Sequence, residues 1–193
     1  MKKSRLLMIA SSLLILGLFI FPMWNILLKA PQYPDGIGMD IWINKIVGTN
    51  PNDIQNINLM NHYVGMDPIP TEMAEFVVFP WVIGIMSAIG LGIGLIRKRK
   101  LFLVWFVIMS VLGGIGLYDF YSWEYKYGHN LNPRAPIKVP GQSYQPPVFG
   151  YKKILNFEAY SYPSTGAYFL FTGMFGSVVA YFVDKKEEED DEA

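Results

Sequence analysis

The sequence predicts an all-α membrane protein, a bundle of four transmembrane helices with a small, mixed, loop-rich domain outside the cytoplasm. Three observations predict this fold class. Of the 193 residues, 52% are hydrophobic and 17% are charged, whereas soluble domains carry about 25% charged residues. Four apolar runs are long enough to cross a hydrocarbon core of about 30 Å. The basic residues gather in the short stretches that flank these runs.

The four predicted transmembrane helices cover residues 6–28, 76–96, 101–118 and 164–183. Pro22 and Pro80 lie near one end of two of these runs, where membrane helices tolerate a kink. The alternative for the first run is a cleaved signal peptide, which its basic start would fit. However, the run is too long for one, and no small-residue cleavage pattern precedes Trp24. We therefore expect an uncleaved membrane anchor.

The distribution of basic residues predicts the orientation of these helices. Segments 1–5, 97–100 and 184–193 hold nine of the 16 lysines and arginines. By the positive-inside rule, these segments and both termini are cytoplasmic, and the protein lies in the inner membrane. The longer segments 29–75 and 119–163 are then extracytoplasmic. The acidic run at the end of the chain is expected to be a solvated, disordered tail.

The two extracytoplasmic segments carry different local signals. In 29–75, alternation of apolar and polar residues over 39–43 is typical of a strand. Asp53 is placed to cap a short helix that Gly65 would terminate. Segment 119–163 is rich in Pro, Gly and Tyr and predicts ordered, irregular coil. We expect the two segments to pack together as one small domain above the helices.

Composition excludes several classes of function. The chain has no cysteine, which removes disulfides, thiolate metal sites and iron–sulfur clusters. Acidic and basic residues balance at 16 each, so nothing global favours nucleic-acid binding. No charged residue lies in the middle of a predicted span, which argues against a proton relay or a haem held between helices. No catalytic triad, phosphate loop or dinucleotide fingerprint is present. We therefore expect a protein that is not an enzyme.

The candidate metal-binding residues are Met60, His62 and Met66, with Met39 upstream. Thioether and imidazole groups are soft ligands that suit Cu(I), and His62 and Met66 are four residues apart, on one helical face. The alternative is that the methionines fill the core of the outer domain while His62 hydrogen-bonds a backbone carbonyl. His129 is a second candidate with fewer suitable neighbours, and it would complete a site only where the two segments meet.

Two further features have a bland and a functional interpretation. Asp119 and Glu124 follow the third span and either handle protons or are simply hydrated or paired with Lys126 or Arg134. Small residues four apart, such as Gly90 and Gly94, either pack the bundle internally or form an oligomer face. The other small-residue pairs are Gly84 with Ala88 and Gly176 with Ala180.

Three stretches carry a resemblance to a known family: YPDGIGMDIWINKI at 33–46, DIQNINLMNHYVGM at 53–66 and APIKVPGQSYQPPVFGYKKILNF at 135–157. They resemble the small four-span membrane proteins encoded in clade II nitrous-oxide reductase gene clusters, the NosB family. The resemblance implies a setting that serves a periplasmic copper enzyme with a CuA centre and a copper–sulfide cluster. It also implies an ABC transporter and a copper lipoprotein as neighbours, but it assigns no functional residue.

The function expected from these observations is that of a non-catalytic membrane accessory protein. It would assist maturation, copper handling or electron supply of a periplasmic copper enzyme of the nitrous-oxide reductase type. The alternative is a purely structural docking subunit of a membrane complex, without metal. A third hypothesis, a quinol-handling subunit, would use the Tyr- and Trp-rich outer belt, although two histidines and no cysteine leave no haem or iron–sulfur relay in this chain.

Overall fold

The computed structural model describes residues 2–96 and 98–192, apart from the side chains of 190–192. Arg97 in the predicted cytoplasmic turn and the last side chains of the acidic tail lie outside the described residues. The helices are α1 (Lys3–Leu14), α2 (Asp53–Val64), α3 (Glu75–Leu95), α4 (Lys100–His129) and α5 (Thr165–Glu192), with a 3-10 helix at Ile15–Phe19. The strands are β1 (Trp24–Ala30), β2 (Tyr33–Ile41), β3 (Ile46–Gly48), β4 (Gly150–Ile154) and β5 (Phe157–Pro163).

The predicted fold class, an all-α bundle of four transmembrane helices, is wrong. The structure combines its helices with a five-stranded antiparallel sheet of order β3-β2-β1-β5-β4. Among the described residues, three helices are long and apolar enough to cross a membrane: Glu75–Leu95, Lys100–His129 and Thr165–Glu189. These three helices are compatible with a membrane protein of α+β type.

The first predicted span, 6–28, fails because two elements share one apolar run. Helix α1 ends at Leu14, the 3-10 helix follows, and β1 begins at Trp24. Pro22 disfavours a helical conformation for the residue before it, which separates the two elements. Strand β1 is the central strand and its Ile26 is fully buried. A short buried strand is apolar throughout, so its pattern cannot be told from the end of a membrane helix.

The sheet joins the two segments that the sequence analysis expects outside the cytoplasm. Strand β1 pairs with β2 on one side and with β5 on the other, with Leu27 opposite both Gly38 and Tyr160. The two segments also contact each other directly, since the N–H groups of Asn132 and Ile137 donate to the carbonyl oxygens of Gly65 and Tyr63. Because α3 and α4 connect at the end remote from the sheet, the sheet caps one end of the helices.

The β4–β5 hairpin corrects the prediction of irregular coil for the second segment. Ile154 pairs with Phe157, so the hairpin has a two-residue turn made of Leu155 and Asn156. Leu155 adopts a left-handed conformation with φ of 56°, a conformation normally taken by Gly, Asn or Asp in such turns. The usual sequence signal is therefore missing at the left-handed position, and Asn156 is the only typical turn residue of the pair. Residues between α4 and β4 are irregular, as predicted.

Small residues let α1 pack between α3 and α5. Ser12 lies against Gly90 of α3, and Ser87 donates a hydrogen bond of 2.8 Å to the carbonyl oxygen of Ser12. On the other side, Ser11 lies against Gly173 and Gly176 of α5. The small residues at 90 and 176 thus serve internal packing. A side chain at Gly84 would meet nothing within 4 Å, so the oligomer face remains a prediction there.

The polar end of the bundle is held by contacts between helix ends. Arg5 donates to the carbonyl oxygens of Gly94 and Leu95, and the Ser4 hydroxyl donates to Asp184 and Glu187. Arg99 forms an ion pair with Glu188 at 2.7 Å. The acidic run is therefore part of α5, and its expected disorder is wrong. These contacts gather the basic residues at the end opposite the sheet.

The α1–α3 contact makes a specific prediction. Replacing Gly90 with valine is expected to lower the free energy of unfolding by about 1–3 kcal/mol, the usual cost of overpacking a tight interface. The added methyl groups meet Ser12 and the indole of Trp105. Thermal unfolding in detergent measures this, with Gly84→Val as the matched control because position 84 on the same helix is open. Equal stability of the two variants would contradict the packing described.

Candidate functional site

Helix α2, which carries two of the predicted metal ligands, ends at Gly65 as the sequence predicts, but Asp53 does not cap its start: Asn52 is the N-cap residue and makes no side-chain capping hydrogen bond. At its start, the buried Asp53 carboxylate accepts hydrogen bonds of 3.0 Å from the backbone N–H groups of Gly38 and Asn50. At its end, Gly65 has φ of 84°, and the N–H of Met66 donates to the carbonyl oxygen of Asn61 at 2.9 Å. This left-handed turn brings Met66 back beside the helix.

Three methionines come together under the sheet. Met39 of β2, Met60 of α2 and Met66 line one small, mostly apolar pocket of about 90 Å³, which we call the methionine pocket. Met39 is 3% exposed and the other two are half-buried. The structure therefore unites the two predicted methionines with the upstream one. The turn at Gly65 supplies the change of direction that a straight helix would not allow.

Polar groups line the same pocket. The Tyr144 side chain is 8% exposed, and its hydroxyl has no hydrogen-bond partner among the described residues. Asn61 donates to the Tyr127 hydroxyl at 2.6 Å and so orients one wall. A buried hydroxyl without a partner is costly. The methionine pocket is therefore suited to an occupant that can contact both sulfur and oxygen.

The two histidines lie away from this pocket. His62 lies two residues after Met60 on α2 and therefore points about 200° away from it. Its side chain is exposed and packs edge-on against Tyr63. His129 is exposed, and its ring stacks on Tyr125 at 4.1 Å while Nδ1 lies 2.9 Å from the carbonyl oxygen of Tyr125. Within 2–96 and 98–192, no group of three or more His, Asp or Glu side chains is placed to hold a metal ion.

Glu124 and Asp119 have different surroundings. Glu124 is fully buried, and neither carboxyl oxygen has a hydrogen-bond partner in the described part of the chain. The bland interpretation expected Glu124 to be hydrated or paired with Lys126 or Arg134. In the described structure, the buried carboxyl group is neither. Asp119 is half-buried and lies close enough to Glu75 for the two carboxyl groups to repel each other when both are charged. Both Asp119 and Glu75 line a second and larger cavity.

This larger cavity, which we call the interfacial cavity, was not predicted from the sequence. It measures about 430 Å³ and lies between the sheet and helices α3, α4 and α5. Three tryptophans line it: Trp24, Trp42 and Trp123. The signal that could have revealed it is the run of glycines at 113, 114 and 116, where an added side chain would meet nothing within 4 Å.

The two pockets follow one another along the same face of the sheet. Trp24 of the interfacial cavity and Ile26 of the methionine pocket are two residues apart on β1, so their side chains share a face. Along α4, Trp123 lines the first pocket and Tyr127 the second, and their rings stack at 5.0 Å. Stacked aromatic rings thus form the common wall.

Fold and site together define an α+β protein with three membrane-length helices and two pockets beneath a terminal sheet. Searches with the sequence and the structure find no matching family model, no matching curated protein and no matching solved structure.

Proposed function

We propose that this protein is a non-catalytic accessory protein of the inner membrane that holds Cu(I) for a periplasmic copper enzyme of the nitrous-oxide reductase type. Both termini are cytoplasmic and the sheet is extracytoplasmic in this proposal. The observation that carries it is the convergence of Met39, Met60 and Met66 on one pocket. The resemblance of the three sheet-domain stretches to the NosB family supports the same setting.

Ligand chemistry supports copper over other metals. Thioether sulfur is a soft, neutral ligand that prefers Cu(I), whereas Zn²⁺, Mg²⁺ and Ca²⁺ need imidazole, thiolate or carboxylate groups. The walls of the methionine pocket are otherwise apolar, with Tyr127, Tyr144 and Asn61 as the polar groups. A site of neutral ligands favours a singly charged ion, because a doubly charged one would be more costly to desolvate. Met39 replaces His62 in the ligand set that we propose.

Charge distribution supports the orientation. Arg5, Arg99 and Lys185 lie at the helix ends remote from the sheet. Basic residues favour the cytoplasmic side, so the sheet would face outwards, where a periplasmic enzyme could be served.

The copper proposal is tested by titrating the purified full-length protein with Cu(I) in competition with a chromogenic chelator. Met60→Leu and Met66→Leu are each expected to weaken Cu(I) binding by about tenfold or more, because each removes one sulfur while nearly conserving volume. Met8→Leu is the matched control, since Met8 is fully buried among the helices and away from the pocket. His62→Ala is expected to leave the affinity unchanged.

Two results would contradict the proposal. Wild-type protein that binds no Cu(I), or Met60→Leu and Met66→Leu variants that bind as tightly as Met8→Leu, would exclude the methionine pocket. A loss confined to His62→Ala would instead assign the metal to the exposed histidine.

A docking subunit without metal is the second candidate, favoured by the open edge of the sheet. Among the described residues, strand β4 pairs with β5 alone, and its residues Tyr151, Lys152 and Lys153 are exposed. An exposed edge strand can accept a strand from another chain. This function predicts a stable co-purifying partner and no copper. Proline at position 153 would be expected to weaken that partner's binding. Because hydrogen-bonded pairs alternate along the ladder from Ile154 and Phe157, the N–H of Lys153 points to the open edge and not to β5.

A further inference from the structure

We propose that the interfacial cavity binds a quinone or quinol, a membrane-soluble ring with carbonyl or hydroxyl groups and an apolar tail. The inference is independent of the copper proposal and concerns binding only. It rests on the size of the cavity, on the aromatic rings in its walls and on the polar groups in its lining.

The size and position of the cavity fit a small amphipathic ligand. Ligand pockets usually measure about 300–1,000 Å³ and are mostly apolar, and this one measures about 430 Å³. Its helical walls come from α3, α4 and α5, the three membrane-length helices. The glycines at 113, 114 and 116 of α4 line the cavity and fill none of it with side chains. A ligand dissolved in the bilayer would enter between these helices.

The walls suit a flat ring. Trp24 and Phe120 lie with their ring centroids 5.9 Å apart, and Trp123 stacks against Phe120 at 6.3 Å. All three residues line the cavity, together with Trp42. Aromatic faces contribute about 0.5–1.5 kcal/mol per well-placed pair beyond simple burial. A planar headgroup can make such stacking contacts with the rings that line the cavity, whereas a flexible acyl chain cannot.

The polar groups match a ring that both accepts and donates hydrogen bonds. The Nε1–H of Trp42 is buried and has no acceptor within the residues that the structure describes. Glu75 and Asp119 add carboxyl groups to the same lining. A quinone carbonyl would accept from Trp42, and a quinol hydroxyl would donate to a carboxylate. The negative charge of Glu75 and Asp119 disfavours the phosphate of a phospholipid headgroup.

The experiment titrates the full-length protein in nanodiscs with decylubiquinone and follows tryptophan fluorescence, which quinones quench on contact. Three of the five tryptophans line the cavity, so saturable quenching is expected. Gly116→Leu places a side chain in the cavity lining, at a position where a Cβ meets nothing within 4 Å, and is expected to weaken binding by about tenfold or more. Gly84→Leu is the matched control, since position 84 is equally open but lies outside the cavity.

A second pair of variants tests the polar groups. Trp42→Phe keeps an aromatic ring but removes the N–H donor, and a loss of about three- to tenfold in affinity is expected for one hydrogen bond. Trp24 and Trp123 remain as reporters. Asp119→Asn is expected to weaken binding of the reduced probe, decylubiquinol, more than that of decylubiquinone.

Several outcomes would overturn the proposal. Quenching that does not saturate, or that is equal in Gly116→Leu and Gly84→Leu, would mean that the quinone only partitions into lipid. Nanodiscs made with brominated-chain phosphatidylethanolamine give the remaining comparison. If bromine quenching depends on Gly116 while decylubiquinone has no such dependence, the cavity holds an acyl chain and the proposal is wrong.

Discussion

Replacing Trp105 with alanine is expected to lower the free energy of unfolding by about 3–5 kcal/mol, the usual cost of removing a buried large aromatic side chain. Trp105 is fully buried in the helical core, and its Nε1–H donates a hydrogen bond of 2.9 Å to the carbonyl oxygen of Met86. The substitution therefore leaves a void between α3 and α4 and removes the side-chain hydrogen bond that joins them.

The matched control for this prediction is Trp81→Ala. Trp81 lies on α3 but is 70% exposed on the outer surface of the bundle, so its removal opens no internal void. Thermal or detergent-induced unfolding, followed by circular dichroism, measures both variants. A loss for Trp105→Ala no greater than that for Trp81→Ala would show that α3 and α4 do not pack as described.

Replacing Asp53 with alanine is expected to lower the free energy of unfolding by about 1–3 kcal/mol. The substitution leaves the buried N–H of Gly38 without its acceptor, which carries most of this cost, and it also removes the part-buried bond from the N–H of Asn50. Because Asp53 ties α2 to β2, the variant is also expected to displace Met60 from Met39 and weaken Cu(I) binding.

Two controls separate these effects. Asp53→Asn keeps one acceptor oxygen and is expected to lose less stability than Asp53→Ala. Asp35→Ala removes an exposed carboxylate from β2 and is expected to change stability by no more than about 0.5 kcal/mol. Comparable stability of Asp53→Ala and Asp35→Ala would contradict the role of Asp53.

The sequence allowed the long helices and α2 to be predicted because their signals are local. Length and uninterrupted hydropathy mark α3, α4 and α5. Gly65 ends α2 as predicted, because a left-handed cap depends only on neighbouring backbone groups. Asp53 marks the start of α2, but the prediction that it caps the helix is wrong, since its carboxylate accepts from Gly38 on β2, fifteen residues away.

Strands β1 and β5 could not be predicted because their partners are distant in sequence. Leu27 and Tyr160 pair across the sheet although 133 positions separate them in the numbering. The apolar character of β1 follows from burial between two strands, and nothing local distinguishes that burial from the interior of a membrane. The hairpin turn was missed for a different reason, since its left-handed residue is Leu155, a residue type that rarely adopts this conformation.

The candidate sites divide in the same way. Met60 and Met66 could be named as candidate ligands because a thioether is recognisable from residue type alone. His62 was grouped with them on sequence spacing. In the structure, His62 does not line the pocket and Met39 does. The position of Met39 depends on the pairing of β2 with β1, which spacing within one stretch of sequence does not reveal. The interfacial cavity depends on seven elements at once, and of its features only the glycines at 113, 114 and 116 are visible in one stretch of sequence.

Both pockets exist only if residues 24–30 form the central strand of the sheet, which is the claim on which the two proposals depend. Cysteine pairs test it directly in native membranes, since the chain has no cysteine of its own. Leu27→Cys with Tyr160→Cys should form a disulfide, because directly opposed residues in an antiparallel pair lie within bonding reach. Leu27→Cys with Ala159→Cys should not, since those side chains lie on opposite faces. Absence of the first disulfide, or equal yields from the two pairs, would contradict the sheet and both proposals with it.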